Sequence, residues 1–153
     1  MKQHIVSSLA EPVGNLWKDL QARYTKEGTF DISSPLSSTP LPIYKWIINH
    51  ADEFENWHKV RFILMDEQLE GDQSPFLYVQ TNDPASYEGF ARKHLLIPLQ
   101  QETSGEVPVV KPDVSKIEMV STEIDLLILA LGPKGNYANV MPGTQEDIGW
   151  HIA

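Results

Sequence analysis

The sequence predicts an α/β fold, with a small, mostly parallel sheet of four to five strands and helices on both faces. Residues 124–131 form a nearly unbroken apolar run, which is typical of a strand buried on both faces of a parallel sheet. Residues 59–65 predict a second strand, and shorter candidates lie at 29–33 and 106–110. Helical patterns separate these strands, and this alternation is characteristic of parallel α/β architectures.

The helices are predicted from apolar spacing and from proline positions. Residues 8–24 place apolar side chains on one helical face. Pro42 is tolerated only near a helix start, so the next helix should begin between Thr39 and Leu41. Further candidates are a helix at 84–95, a short helix at 114–120 and a short strand at 76–79.

Composition sets limits on the class of protein. The 153 residues, 41% of them hydrophobic, are expected to form a single domain with its own core. A net charge of -9, with scattered Lys and Arg, argues against nucleic-acid binding. No apolar stretch approaches the roughly 20 residues that span a bilayer, and no signal peptide is recognised, so we expect a cytoplasmic protein without membrane contact. The chain has no cysteine, and its five histidines lack metal-ligand spacing, so no metal or other cofactor is indicated.

Polar residues follow the predicted strands, where parallel sheets gather ligands. Ser37, Ser38 and Thr39 precede a helix and offer hydroxyl and backbone N–H groups to an anion, although such residues are also ordinary helix N-caps. Asp66 and Glu67 follow the strand at 59–65, where the alternative is a solvated acidic loop. A glycine-rich and proline-rich loop follows the strand at 124–131.

Three motifs carry a family resemblance. The segment LALGPKGNYANVMPG resembles the LGxGPDGHxASLFPG signature of the 6-phosphogluconolactonase and glucosamine-6-phosphate isomerase family. PLSSTPLPIYKW is similar to the family's phosphate loop, written PTGGTPLxxYK or SGGSTPxxxY, and FILMDEQLEG is similar to FxxxDERxVP and FNMDEYVGL. A fourth segment, around Ser86 and Tyr87, resembles SNYxxAxxxLL. The matching positions in the first two motifs are Gly132, Pro133, Gly135, Ala138, Pro142 and Gly143, and Pro35, Thr39, Pro40, Tyr44 and Lys45.

The departures from the family pattern fall on its reactive positions. Lys134 replaces an Asp, Asn136 replaces the His that assists acid–base chemistry, and Met141 occupies a position that is Glu in the isomerases and usually Phe in the lactonases. Ser37 and Ser38 replace paired glycines, which weakens or remodels the phosphate site because serine is bulkier and resists positive φ.

The resemblance implies a truncated Rossmann-like three-layer fold and a set of site residues. By carry-over Asp66 is the base that removes a proton next to the carbonyl, with Glu67 beside it and Asn136 in the position of the loop His. The phosphate-binding candidates are Ser37, Ser38, Thr39 and Lys134. The resemblance covers nearly all of the single predicted domain, which spans residues 1–153. It corresponds to only the N-terminal half to two thirds of a full family member.

Two functions therefore remain open. The chain is either a catalytically impaired relative that binds a sugar 6-phosphate or a partner protein, or an active isomerase, deaminase or lactonase that uses Asp66 as its base. Because a shortened sheet with several Trp residues would leave apolar surface uncovered, we also expect a homodimer or a larger oligomer.

Overall fold

The computed structural model describes residues 9–70, 77–103, 105–111 and 123–129. The regular elements in chain order are α1 (Ala10–Tyr24), β1 (Phe30–Ser33), α2 (Leu41–Asn49), two 3-10 turns (Ala51–Glu53 and Trp57–Lys59), β2 (Val60–Ile63), β3 (Leu69–Glu70), β4 (Leu77–Tyr78), α3 (Tyr87–Ala91), a π-helical segment (Arg92–Leu96), α4 (Ile97–Thr103), β5 (Val109–Val110) and β6 (Leu126–Leu127).

Among the described residues, the main sheet has four parallel strands in the order β5-β2-β1-β6, which confirms the predicted α/β class. The chain moves outward from β1 to β2 and β5, and then returns to the other side of β1 with β6. The strand order therefore reverses between β1 and β6. In open α/β sheets the carboxyl ends of the strands beside such a reversal form the ligand crevice.

One face of this sheet carries the core. The alternate residues Phe30 and Ile32 of β1 and Val60 and Phe62 of β2 are fully buried. They belong to one apolar cluster with side chains of α1, α2 and the α3–α4 helical region, among them Trp17, Tyr44, Ile47, Leu95 and Leu99. The packing of α1 on α2 is close: a Cβ atom on Gly14 would lie 2.0 Å from Cε3 of Trp46, so only glycine fits there.

The final described strand differs from its prediction. The apolar run at 124–131 predicts a strand buried on both faces, but β6 lies at the edge of the sheet that the described residues form, and Leu127 and Leu129 are 45% and 55% exposed. Within the described residues, nothing covers these two side chains. The prediction was wrong because an apolar run reports strand propensity and not the neighbours that the strand finds. The expected homodimer or larger oligomer stays a prediction.

The helix predicted at 84–95 starts later and extends further. Ser86 is its N-cap, with the hydroxyl oxygen accepting a hydrogen bond from the Gly89 amide at 3.0 Å. Beyond Ala91 the chain makes one π-helical segment before α4, whose second residue is Pro98. Proline has no N–H and crowds the preceding turn, so a change of helical hydrogen bonding just before it is expected. The strand predicted at 76–79 is β4, which pairs antiparallel with β3 in a separate hairpin.

Candidate functional site

The loop after β1 is anchored by buried hydroxyl groups. Ser33 donates from Oγ to the Ile63 carbonyl at 2.8 Å, which ties the end of β1 to β2. The Tyr44 hydroxyl of α2 lies 2.9 Å from Ser34 Oγ and 3.0 Å from the Pro35 carbonyl oxygen. Burial raises the pKa of Tyr44 to about 12, against the smaller opposing effect of the hydrogen bond with Ser34. Tyr44 is therefore a neutral hydrogen-bonding group that fixes the start of the loop.

At the tip of the same loop, the hydrogen-bond donors of residues 37–39 are not used by any described residue. Ser37, Ser38 and Thr39 are exposed, and within the part of the chain that the structure describes their hydroxyl and amide groups have no partner. They do not adopt positive φ, so the serines replace glycine without backbone strain. The amides of Leu41 and Ile43 are already engaged by the Ser38 and Pro40 carbonyls.

Because Pro42 has no N–H, the first turn of α2 offers few free amides of its own. The donors available to an anion are thus those of residues 37–39, which lie in front of the partial positive charge at the start of α2.

The loop after β2 is organised around the Glu67 carboxylate. Its Oε1 accepts hydrogen bonds from the amides of Gln68 at 2.8 Å and Tyr87 at 2.7 Å, and its Oε2 accepts from the Glu88 amide at 2.8 Å and Ser86 Oγ at 3.1 Å. Glu67 therefore joins the loop to the first turn of α3. Its expected catalytic role stays a prediction, and this structural role could not be read from the Asp-Glu pair. Asp66, half-buried, lies beside it, three residues past the end of β2.

A cluster of charged groups stands next to this loop. Glu88 is 7% exposed, and its two carboxylate oxygens accept from Arg92 Nε and Lys111 Nζ, each at 2.7 Å. The Lys111 ammonium also lies 5.0 Å from the centre of the Tyr78 ring. Burial alone would raise the pKa of Glu88, but the hydrogen bonds from Lys111 and Arg92 outweigh it and lower that pKa below its ordinary value of 4.5.

The sequence did not single out this cluster. The i, i+4 spacing of Glu88 and Arg92 was a visible signal, whereas the contact with Lys111 depends on the tertiary fold.

The predicted site residues are thus partly located. Ser37, Ser38 and Thr39 follow β1, and Asp66 and Glu67 follow the adjacent parallel strand β2, so both groups lie at the carboxyl edge of the sheet. The Ile128 amide just past β6 donates to the Ser33 carbonyl at 2.9 Å, which brings that strand to the same edge. Lys134, Asn136 and Met141 lie outside the described residues, as does the short helix expected at 114–120.

The described residues contain no group of three or more His, Asp and Glu residues that could hold a metal ion. Among them no helix is long and apolar enough to cross a membrane.

The fold and the loop positions define a Rossmann-like α/β protein with its candidate site where the strand order reverses. No family model matches the chain. A curated 6-phosphogluconolactonase from Caulobacter vibrioides is 26% identical over 133 residues, covering 81% of this chain and 52% of that protein.

Two solved structures share the fold. A 6-phosphogluconolactonase from Thermotoga maritima superposes with a TM-score of 0.60 at 20% identity, covering 90% of this chain and 62% of that one. A structure described as the devB protein gives a TM-score of 0.59 at 20% identity, covering 90% and 61% of the two chains. The chain is therefore similar to 6-phosphogluconolactonases in sequence and in fold, and it spans about half the length of the curated relative.

Proposed function

We propose that this protein binds a sugar phosphate at the carboxyl edge of its sheet and performs the chemistry of its family weakly or not at all. The observation that supports phosphate binding is the set of unused donors of Ser37, Ser38 and Thr39, which are exposed in the loop after β1. Hydroxyl and backbone N–H groups in front of a helix start suit a phosphate dianion. The loop also adjoins the reversal of strand order, where parallel sheets bind ligands.

Weak or absent catalysis is proposed because other residues replace the family's titrating groups. Asn136 stands where the family has His, and an amide can hydrogen-bond but cannot exchange a proton near neutral pH. Positioned acid–base groups contribute about 10²–10⁴-fold each, so losing one lowers the rate severely. The carboxylate of Glu67 is engaged by three amides and a hydroxyl, which leaves it poorly placed to substitute.

A second candidate function is an active isomerase, deaminase or lactonase that uses Asp66 as base. The observation in its favour is that Asp66 follows β2 beside a loop that Glu67 holds in place. A rigidly supported loop is what a positioned base requires. The two candidates share the binding site and differ only in turnover.

Isothermal titration with glucose 6-phosphate and with glucose tests the binding half. We expect binding of the phosphate ester alone, and at least a tenfold loss of affinity in Ser38→Asp, because a carboxylate in the loop repels phosphate. Thr29→Asp is the matched control: it introduces the same charge at another exposed position, just before β1 at the opposite edge of the sheet. Equal losses in both variants, or no binding by the wild type, would contradict the proposal.

Turnover assays separate the two candidates. We expect the purified protein to hydrolyse 6-phosphogluconolactone and to convert glucosamine 6-phosphate at rates close to the uncatalysed background. Robust turnover that Asp66→Asn abolishes, while ligand affinity is retained, would establish the active enzyme instead.

A further inference from the structure

The Glu88 cluster consists of Glu88, Arg92, Lys111 and Tyr78. It contains one more cation than is needed to neutralise its single carboxylate. Two other described ion pairs have one cation for each carboxylate: Lys18 with Glu53, and Arg61 with Asp31. Glu88 holds two cations, and since it is buried and doubly hydrogen-bonded it stays ionised near neutral pH. The Glu88–Arg92–Lys111 group therefore has a net charge of +1 in a chain whose net charge is -9.

Both cations keep hydrogen-bond donors that no other described residue uses. Arg92 reaches Glu88 through Nε, and its two terminal nitrogens have no partner among the described residues. Lys111 gives one N–H to Glu88 and leaves the rest of its ammonium beside the Tyr78 ring. The two side chains are 37% and 33% exposed, so an incoming anion can reach them. Glu88 holds the cations in place before any ligand arrives, which reduces the entropy cost of binding.

The cluster lies on the same edge of the sheet as the candidate phosphate loop. Lys111 directly follows β5, and the Leu64 amide donates to the Val110 carbonyl at 2.9 Å, so Lys111 stands beside the loop of Asp66 and Glu67. Across this edge the order is the loop after β1, then Asp66, then Lys111. Strands β1 and β5 are two strand spacings apart, about 10 Å. That separation is close to the length of an extended six-carbon chain with a phosphate at one end.

We infer that Arg92 and Lys111 form a second anion subsite, which receives the far end of a ligand whose phosphate lies at residues 37–39. The inference rests on the proposed function and goes beyond it by naming the ligand class. The ligands proposed for the two subsites together have an anionic group at each end, as in a phosphorylated sugar acid or a sugar bisphosphate. Glu67 does not oppose this binding, because the N–H groups at the start of α3 compensate its charge.

Titration calorimetry with three probes tests the subsite. Glucose 6-phosphate has one anionic end, 6-phosphogluconate adds a carboxylate at the other end, and fructose 1,6-bisphosphate adds a phosphate there. We expect the wild type to bind at least one doubly anionic ligand about tenfold more tightly than glucose 6-phosphate, as one partly exposed charge-assisted contact provides. A preference for only one of the two shows which anion the subsite accepts.

The variants are Lys111→Met and Arg92→Gln, each of which leaves Glu88 paired with the other cation, so that folding is preserved. We expect each to reduce the preference for the doubly anionic ligand to near unity, while the affinity for glucose 6-phosphate changes less than twofold. Lys18→Met is the matched control, since it removes a similarly exposed lysine from the ion pair with Glu53, outside this cluster. It should retain the preference.

The outcomes separate the subsite from the proposed function. If the wild type binds all three ligands equally, or if the Lys111 and Arg92 variants keep the preference, the subsite is overturned and the cluster is only a structural link between α3 and β5. If none of the three ligands binds, the proposed function fails and the subsite fails with it.

Discussion

The loops that follow β1 and β2 lie side by side on the sheet but use their polar groups in opposite ways. In the loop after β2, the Glu67 carboxylate accepts four hydrogen bonds from the chain itself. In the loop after β1, the hydroxyl and amide groups of Ser37, Ser38 and Thr39 have no partner among the described residues. The anchoring groups of that loop, Ser33 and the Tyr44 hydroxyl, lie below it and are buried.

This difference separates polar residues that hold the fold from polar residues that are available to a ligand. A carboxylate after a buried strand suggests acid–base chemistry, yet the one at Glu67 acts as a helix cap supplied from a distant part of the chain. Hydroxyl groups before a helix suggest ordinary N-caps, yet those of residues 37–39 make no cap, and the N-cap position of α2 is Pro40. In both loops the observed contacts differ from the simplest interpretation of the sequence: the carboxylate is a cap, and the hydroxyl groups are not.

The strongest test of this contrast is Glu67→Ala. The substitution removes the acceptor for three amides and a hydroxyl, and burying unsatisfied N–H groups costs free energy. We expect a loss of about 2–3 kcal/mol in the free energy of unfolding, measured by urea denaturation. Glu70→Ala is a matched control, since Glu70 is an exposed carboxylate in the adjacent hairpin. Surface substitutions typically change stability by less than about 0.5 kcal/mol. A loss below that value in Glu67→Ala would show that the hydrogen bonds of Glu67 contribute no net stability.

The next test uses the pH dependence of the Glu88 ion pairs. Because the pKa of Glu88 is lower in the folded protein than its ordinary 4.5, its contribution is complete above that value and is lost as the pH falls through the folded pKa. We expect Glu88→Gln to be less stable than the wild type at pH 7, by about 1–3 kcal/mol.

This stability difference should shrink as the pH falls below 4.5, because the wild type then loses the same charge. Urea denaturation at several pH values between 3 and 7 measures it. A difference that is constant across this range would mean that the carboxylate charge contributes nothing.

A smaller effect is expected from Tyr44→Phe, which removes the hydroxyl that holds Ser34 and Pro35. We expect a loss of about 1 kcal/mol at pH 7. The pKa of Tyr44 is raised by burial to about 12, so an unfolded chain releases this proton near pH 10 while the folded chain keeps it. The wild type should therefore lose stability between pH 10 and 12, and Tyr44→Phe should lose less over the same interval. Parallel slopes for the two proteins would contradict this account.

The fold was predictable from the sequence because its signals are local. The strands at 59–65 and 29–33 and the helix beginning near Leu41 follow from apolar runs and from Pro42, and the structure confirms them with slightly shorter strands. The exposure of Leu127 and Leu129 could not be predicted, because it depends on which elements reach the far edge of the sheet. Ser86, which contacts Glu67, and Lys111, which contacts Glu88, lie 19 and 23 residues further along the chain, and no spacing rule identifies such pairs.

The smallest effect on stability, and the sharpest for function, is expected from the double variant Ser37→Ala and Ser38→Ala. Since neither side chain has a partner among the described residues, removing both hydroxyls should change the free energy of unfolding by less than about 0.5 kcal/mol. If the hydroxyls bind phosphate, the affinity for glucose 6-phosphate should still fall about tenfold, because each lost hydrogen bond to a charged group is worth more than one to a neutral group. Calorimetry and urea denaturation on the same samples measure both quantities. A variant that keeps its affinity would assign any phosphate binding to the loop amides alone, and one that loses stability would show that the open loop is, like its neighbour, part of the fold.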